Sequence, residues 1–243
     1  MTNFNMNEIK KKYADFLEKA VGKAPTKGDM IEIDKRMKEL NQKYKKISST
    51  NQEVSNLYDK ELSVFWDKIV AYENNGSEIE LMLKYVNIKP TYKILSLASG
   101  IAVFEMFLSK EFLKSGKITC IDISSKMNKI AKSKLKNFKI NNVKIIKRTV
   151  EELPIKPNSQ NLILGRRTGL SSGKLWKQVL KEVSRAIVKN NSSRFIYTVQ
   201  QDYMNYSKKI NKELDKAGLK LIKIDSFKEK DGDKIFMIIT KPN

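Results

Sequence analysis

Beyond Pro90 the apolar residues of this chain gather into short runs rich in Ile, Val, Leu and Phe, and amphipathic stretches separate them. The runs are Lys93–Leu97, Lys117–Ile121, Val143–Lys147, Asn161–Leu164, Arg194–Val199, Leu219–Phe227 and Lys234–Thr240. Helical periodicity falls between them, over Val103–Lys114, Ser125–Phe138, Gly173–Val188 and Tyr203–Ala217. Such alternation is the pattern of parallel βαβ units. One connection departs from it. Only Lys228–Asp233, with Asp231-Gly232 inside it, joins the last two runs, too short for a crossover helix, so those strands must pair antiparallel. The expected fold class is α/β: a Rossmann-like seven-stranded sheet whose last two strands form an antiparallel hairpin, which a plain dinucleotide-binding fold lacks.

The first 88 residues read differently, as a helical N-terminal extension to a sheet domain at 89–243. Ile9, Tyr13, Phe16 and Leu17 recur at helical spacing, as do Met30, Ile33, Met37 and Leu40, and the segment from Gly22 to Gly28 breaks the helix between them. Ser48–Gln52 reads as a linker. A single further helix is expected over Glu53–Asn74, carrying Leu57, Tyr58, Leu62, Phe65, Trp66, Ile69 and Tyr72, and Ser77 caps a short one from Glu78 to Val86. Tyr58, Trp66 and Tyr72 form either a core stripe or a lid over a pocket.

Two pieces of the sheet domain carry chemistry. Ile94-Leu95-Ser96-Leu97-Ala98-Ser99-Gly100-Ile101-Ala102 is a buried strand running through small residues into a helix. Small residues there let the backbone approach a ligand, and the helix start supplies free N–H groups, although a bare tight turn needs the same residues. Asp122 follows the second strand, 22 positions beyond Gly100. An acid at about that spacing accepts hydrogen bonds from ribose hydroxyls in nucleotide-binding sheets of this kind. Ser124 can cap the next helix, which leaves Asp122 for the ribose.

Asp122-Ile123-Ser124-Ser125-Lys126-Met127, followed by Ala131, resembles the post-motif-I segment of class I S-adenosylmethionine (SAM) dependent methyltransferases of the ubiquinone/menaquinone-biosynthesis and type 11 kind. Glu151-Glu152-Leu153-Pro154-Ile155 is similar to their acidic–acidic–Leu–Pro segment, and Asn158–Leu164 to the strand-four motif after it. The resemblance spans about Thr91 to Pro242. It implies SAM as cofactor, with Ala98, Gly100 and Ala102 in the loop that holds its methionine part. It implies Asp122 on the ribose and Val150 and Glu151 flanking the adenine, with Ser96, Ser99, Ile123, Met127 and Gly165 also among the cofactor-binding residues. The catalytic residue stays unassigned. Ser96 stands where that family has a strand-one acid, Ala98 and Ala102 where it has glycines, and Thr149 and Asn161 at two further acid positions. Alanine is expected to replace those glycines only where φ is negative. Lost carboxylates remove anchors for the cofactor's amino group and adenine, so a non-catalytic methyltransferase-like scaffold that binds nucleic acid or a protein is the alternative.

Arg166 and Arg167 follow strand four on the edge where open α/β sheets bind ligands; either they clamp a carboxylate or phosphate or they lie on a solvated loop, and with Tyr58 and Trp66 they are candidates for substrate binding. A nicotinamide enzyme is disfavoured because Val103 stands where the third glycine of its fingerprint would fall. The chain has no histidine, which excludes histidine bases and ligands, and no metal is expected. No apolar run reaches about 18 residues, so no membrane span is expected. Met1–Lys12 is polar and Cys120 is the one cysteine, so the protein reads as cytoplasmic. The net charge is +21, almost all of it beyond residue 90, where 32 Lys and Arg face 13 Asp and Glu. Either lysine has accumulated on solvated faces, or the methyl acceptor is RNA rather than a small metabolite.

Overall fold

A computed structural model describes residues 5–23, 25–44, 51–73, 76–166, 173–200, 207–228 and 234–243. Its sheet has seven strands: β1 (Lys93–Leu97), β2 (Lys117–Asp122), β3 (Val143–Lys147), β4 (Leu162–Gly165), β5 (Arg194–Gln200), β6 (Leu219–Lys228) and β7 (Lys234–Pro242). Their order is β3-β2-β1-β4-β5-β7-β6. The first five pair parallel, and β7 lies antiparallel between β5 and β6. This is the methyltransferase variant of the Rossmann arrangement, with the hairpin that the short Lys228–Asp233 connection demands. The Asp231-Gly232 turn itself lies outside the described residues.

Continuous apolar strands need cover on both faces, and the helices supply it. On one face lie α1 (Met6–Val21), α5 (Ser77–Tyr85), α6 (Val103–Phe112) and α7 (Ser125–Asn137), which share a core with Ile94, Ile118, Cys120 and Leu162. Tyr13 of α1 packs edge-on against Phe104 and tilted against Phe107, both of α6, so the N-terminal helices and the sheet share one apolar cluster. The other face is covered by α8 (Gly173–Ala186) and α9 (Ser207–Lys216), through Trp176, Val179, Leu180, Val183, Ile210 and Leu214.

The remaining helices are α2 (Lys27–Tyr44), α3 (Asn51–Leu57) and α4 (Trp66–Glu73). They correct two expectations. The helix expected over Glu53–Asn74 is interrupted: α3 runs into a π-helical turn at Tyr58–Leu62, closed by the Ser63 N–H on the Tyr58 carbonyl, and α4 starts afresh at Trp66. Ser77 is the first residue of α5 rather than its cap, which is Gly76 in the left-handed conformation.

Both edges of the sheet carry lysine. β3 ends the sheet with Lys144 and Lys147, and β6 with Lys220, Lys223 and Lys228. Charged edge strands resist pairing with another chain, and this accounts for part of the basic excess without a polyanion.

Candidate functional site

The strand order reverses between β1 and β4, and ligands of open α/β sheets bind in the crevice beyond the strand ends at such a point. Register sets Leu97 beside both Ile121 and Gly165. One residue further along each strand, the Ala98–Ala102 loop, Asp122 and Arg166 therefore converge on one edge.

Asp122 is buried there and ties two loops together. Its Oδ2 accepts the Gly100 N–H at 2.8 Å and its Oδ1 the Ser124 N–H at 2.8 Å. Burial pushes its carboxyl above the ordinary range, against those two N–H donors. A carboxylate has about four acceptor positions, so two remain for ribose hydroxyls.

The loop overturns one expectation. Ala98 and Ala102 both adopt left-handed backbone, with φ of 50° and 56°. The turn geometry therefore survives loss of the glycines, held by the Ser99 N–H on the Ile121 carbonyl, the Gly100 N–H on Asp122 and the Ala102 N–H on the Ser99 carbonyl. For an L-residue this conformation costs about 1–2 kcal/mol. Ala98 is exposed and gives up no packing if its methyl is removed. Ala98→Gly is therefore expected to stabilise the fold by about 0.5–1 kcal/mol, since glycine's extra unfolded-state freedom offsets part of the relief. A raised melting temperature in calorimetry is the expected result, and a lowered one would show that the loop is not strained.

Gly100 is constrained for a different reason. A Cβ there would lie 3.2 Å from Nε1 of Trp66, and φ is +55°. The half-buried Trp66 ring thus reaches over the loop, with Tyr58 packed edge-on against it at 5.6 Å. The π-helical turn brings Asp59 onto the start of α7. Its Oδ1 accepts the Lys126 N–H at 2.9 Å and the Ser124 hydroxyl, and the Ser55 hydroxyl donates to the Ile123 carbonyl at 3.3 Å. Burial pushes the Asp59 carboxyl up, and these donors more than offset it, leaving it below the usual range. π-helical turns recur at functional sites. Tyr72 lies on α4, and its side chain is outside the described residues.

Arg166 is not an open anion clamp. Its Nε donates to Glu78 Oε1 at 2.9 Å and its Nη2 to Glu78 Oε2 at 2.6 Å, with the guanidinium 3.9 Å above the Phe104 ring. Both side chains are mostly buried, at 18% and 6% exposure. Arg167 lies outside the described residues.

On the far side of the crevice Val150 is buried with Leu97, Ile121 and Leu153. The Glu151–Ile155 segment is held to α8 by a pair that sequence reasoning missed. Glu182 accepts the Leu153 N–H at 2.9 Å, and Arg185 donates to the Leu153 and Ile155 carbonyls while pairing with Glu182. Met127 is fully buried below Asp122, and Gly165 ends β4 beside Leu97. Asn161 sits at the opposite end of the strands, where its Oδ1 accepts the Lys93 N–H at 2.9 Å. It is a structural link, and its lack of charge takes nothing from the ligand edge. Ser96 is hydrogen bonded to Glu105, a residue that sequence reasoning did not single out.

Among the described residues no helix is long and apolar enough to cross a membrane, and no group of three His, Cys, Asp or Glu residues is placed to hold a metal.

A model of the ubiE/COQ5 methyltransferase family matches residues 37–217. The demethylmenaquinone methyltransferase of Listeria welshimeri is 22% identical over 170 residues, covering 70% of this chain and 69% of that one. Among solved structures, a SAM-dependent methyltransferase from Aquifex aeolicus superposes with a TM-score of 0.57 at 16% identity, over 79% of this chain and 98% of that one. The cyclase SpnF gives 0.66 at 11% identity, over 80% and 97%, and so shares the fold. The matched stretch runs from α2 to the end of α9 and contains the loop, Asp122 and the Glu151–Ile155 segment. The chain belongs to the ubiE/COQ5 methyltransferase family, as a class I enzyme whose cofactor is S-adenosylmethionine.

Proposed function

We propose that the crevice between β1 and β4 binds SAM and that the protein methylates a small, quinone-like molecule in the cytoplasm. The observation that carries this is Asp122, buried at a strand tip with two acceptor positions still open beneath the Ala98–Ala102 loop. The residues fit the cofactor. Two buried polar atoms beside the loop, Ser99 Oγ and Glu105 Oε2, have no hydrogen-bond partner. Asp122 would hold the ribose, Ser99 and Gly100 the amino-acid end, and Ile123, Val150 and Glu151 the adenine. SAM supplies an already activated methyl group when bound.

What remains for the chain is positioning and exclusion of water. The helical segment 1–88 does this as a cap. Ser55 and Asp59 fasten it to the turn after β2, and Trp66 with Tyr58 forms an aromatic wall over the loop. A flat apolar ring suits such a wall, and the name of the Listeria relative supports a quinone-like acceptor. The buried Arg166–Glu78 pair fixes α5 to the end of β4 and so sets the cap against the crevice.

The test is titration with S-adenosylhomocysteine followed by transfer of a labelled methyl group to demethylmenaquinone or to RNA. A ligand in about a hundredfold excess over its Kd should add roughly 2.7 kcal/mol of stability. Transfer to the quinone should respond little to salt, whereas RNA as the acceptor would show binding that falls steeply as salt rises. Absence of any thermal shift at saturating S-adenosylhomocysteine would leave a scaffold in place of an enzyme.

A further inference from the structure

A buried carboxyl near the crevice is only half satisfied: Glu105, on the first turn of α6. It is 1% exposed, in the otherwise apolar run Val103-Phe104-Glu105-Met106-Phe107-Leu108. Its Oε1 accepts the Ser96 hydroxyl at 2.7 Å, and its Oε2 has no hydrogen-bond partner. Buried polar atoms are nearly always paired, so an orphaned carboxyl oxygen calls for a missing donor.

Position narrows what that donor is. Ser96 and Glu105 stand at the two ends of the Ala98–Ala102 loop, and their hydrogen bond sets the carboxyl beneath it. Ser96 faces it from β1, Cys120 from β2, Glu78 from α5 and Arg166 from beyond β4, with Tyr13 of α1 facing Arg166 in turn. Arg166 is the cation among them, and it attracts Glu105 across space while its Nε and Nη2 donate to Glu78. Burial pushes the Glu105 carboxyl up, more than Arg166 and Ser96 pull it down. Oε2 is thus left without a donor, in a pocket where Arg166 is committed to Glu78.

We infer that Glu105 Oε2 takes the primary ammonium of the cofactor's amino-acid end, so that α6 supplies the carboxylate for which β1 offers only Ser96. Ser96 is then a positioning residue, since its hydroxyl fixes the carboxyl through Oε1. The inference rests on SAM occupying the crevice.

Two probes separate the inference from that premise by calorimetry. S-adenosylhomocysteine carries the ammonium, and 5′-methylthioadenosine has the same nucleoside without it. Glu105→Gln is expected to weaken S-adenosylhomocysteine by about tenfold or more, as loss of a charged hydrogen bond does, and to leave methylthioadenosine within about twofold. Stability gives a readout without ligand. A carboxyl raised on folding favours the folded state below its unfolded pKa and loses that contribution as pH rises through the folded value. The variant should lack this slope and be at least as stable as wild type at neutral pH. Equal weakening of both probes, or unchanged S-adenosylhomocysteine binding, overturns the role of Glu105. Failure of wild type to bind either probe overturns the crevice as the cofactor site, and the inference with it.

Discussion

Arg166→Met should cost the protein about 3–5 kcal/mol, the usual effect of removing one partner from a buried ion pair. The variant leaves Glu78 with neither of the two hydrogen bonds it receives from Nε and Nη2, and it removes the positive charge facing Glu105. Two buried carboxyls then lose their cation. Methionine fills similar volume against Phe104, so little of the loss comes from packing. Chemical denaturation at neutral pH reads the size of the effect, and a companion experiment identifies its cause. Adding Glu78→Gln to Arg166→Met should recover a large part of the loss, because the double variant buries one charge fewer. Acid should help the single variant for the same reason. Burial raises the Glu105 carboxyl on folding, so its favourable contribution is complete below the unfolded value of about 4.3 and disappears as pH rises through the folded value. A loss below about 1 kcal/mol would mean that the pair behaves like an exposed one and does not anchor α5 to β4.

Asp122→Ala should abolish measurable cofactor binding, with S-adenosylhomocysteine affinity falling by about a hundredfold or more. Two losses combine. The ribose loses its acceptor, and the Gly100 and Ser124 N–H groups lose the oxygens that hold the loop and the turn in register, each hydrogen bond to a charged group being worth about 1.5–3 kcal/mol. Part of the stability cost is returned, because burial already disfavours the charged form of this carboxyl. Asp122→Asn separates the two roles. Its amide keeps one acceptor and turns an NH2 group toward one of the backbone donors, which cannot accept it, so the loop tether weakens more than the ribose contact, whose hydroxyls also accept. Isothermal titration of both variants checks this. Affinity unchanged in Asp122→Ala would remove the crevice from consideration as the cofactor site.

Much of the sheet could be read from the sequence, because buried parallel strands are continuous apolar runs with sharp ends. β1 and β3 begin and end where periodicity places them, and the other strands shift by no more than one or two residues. The hairpin followed from connection length alone. The helices of the cap were harder. Leu57 to Tyr72 keeps one helical period in sequence, and nothing local announces the π-helical turn, whose reason is tertiary: it carries Asp59 to the Lys126 N–H. Spacing alone put Asp122 at the tip of β2. Glu105 was missed because a lone acid in an apolar helix reads as a solvent-facing residue, and only the fold shows it turned inward onto Ser96. Its signal was there in Ser96, a hydroxyl at the second-last position of a buried strand, which needs a partner. Ala98 and Ala102 were judged by intrinsic preference, and hydrogen bonds to Ile121, Asp122 and Ser99 impose the left-handed backbone on them.

The i-to-i+5 link from Tyr58 to Ser63 amounts to one extra residue wound into a helix. Shortening the chain by one there would restore ordinary winding and rotate everything upstream by about 100° relative to Trp66. Asp59 would then point away from Lys126, and Ser55 away from Ile123. The phase of these contacts is thus set by the count of residues between Ser55, Asp59 and Trp66 rather than by their chemistry, so relatives that keep these residues but change that count would set the indole differently over the Ala98–Ala102 loop.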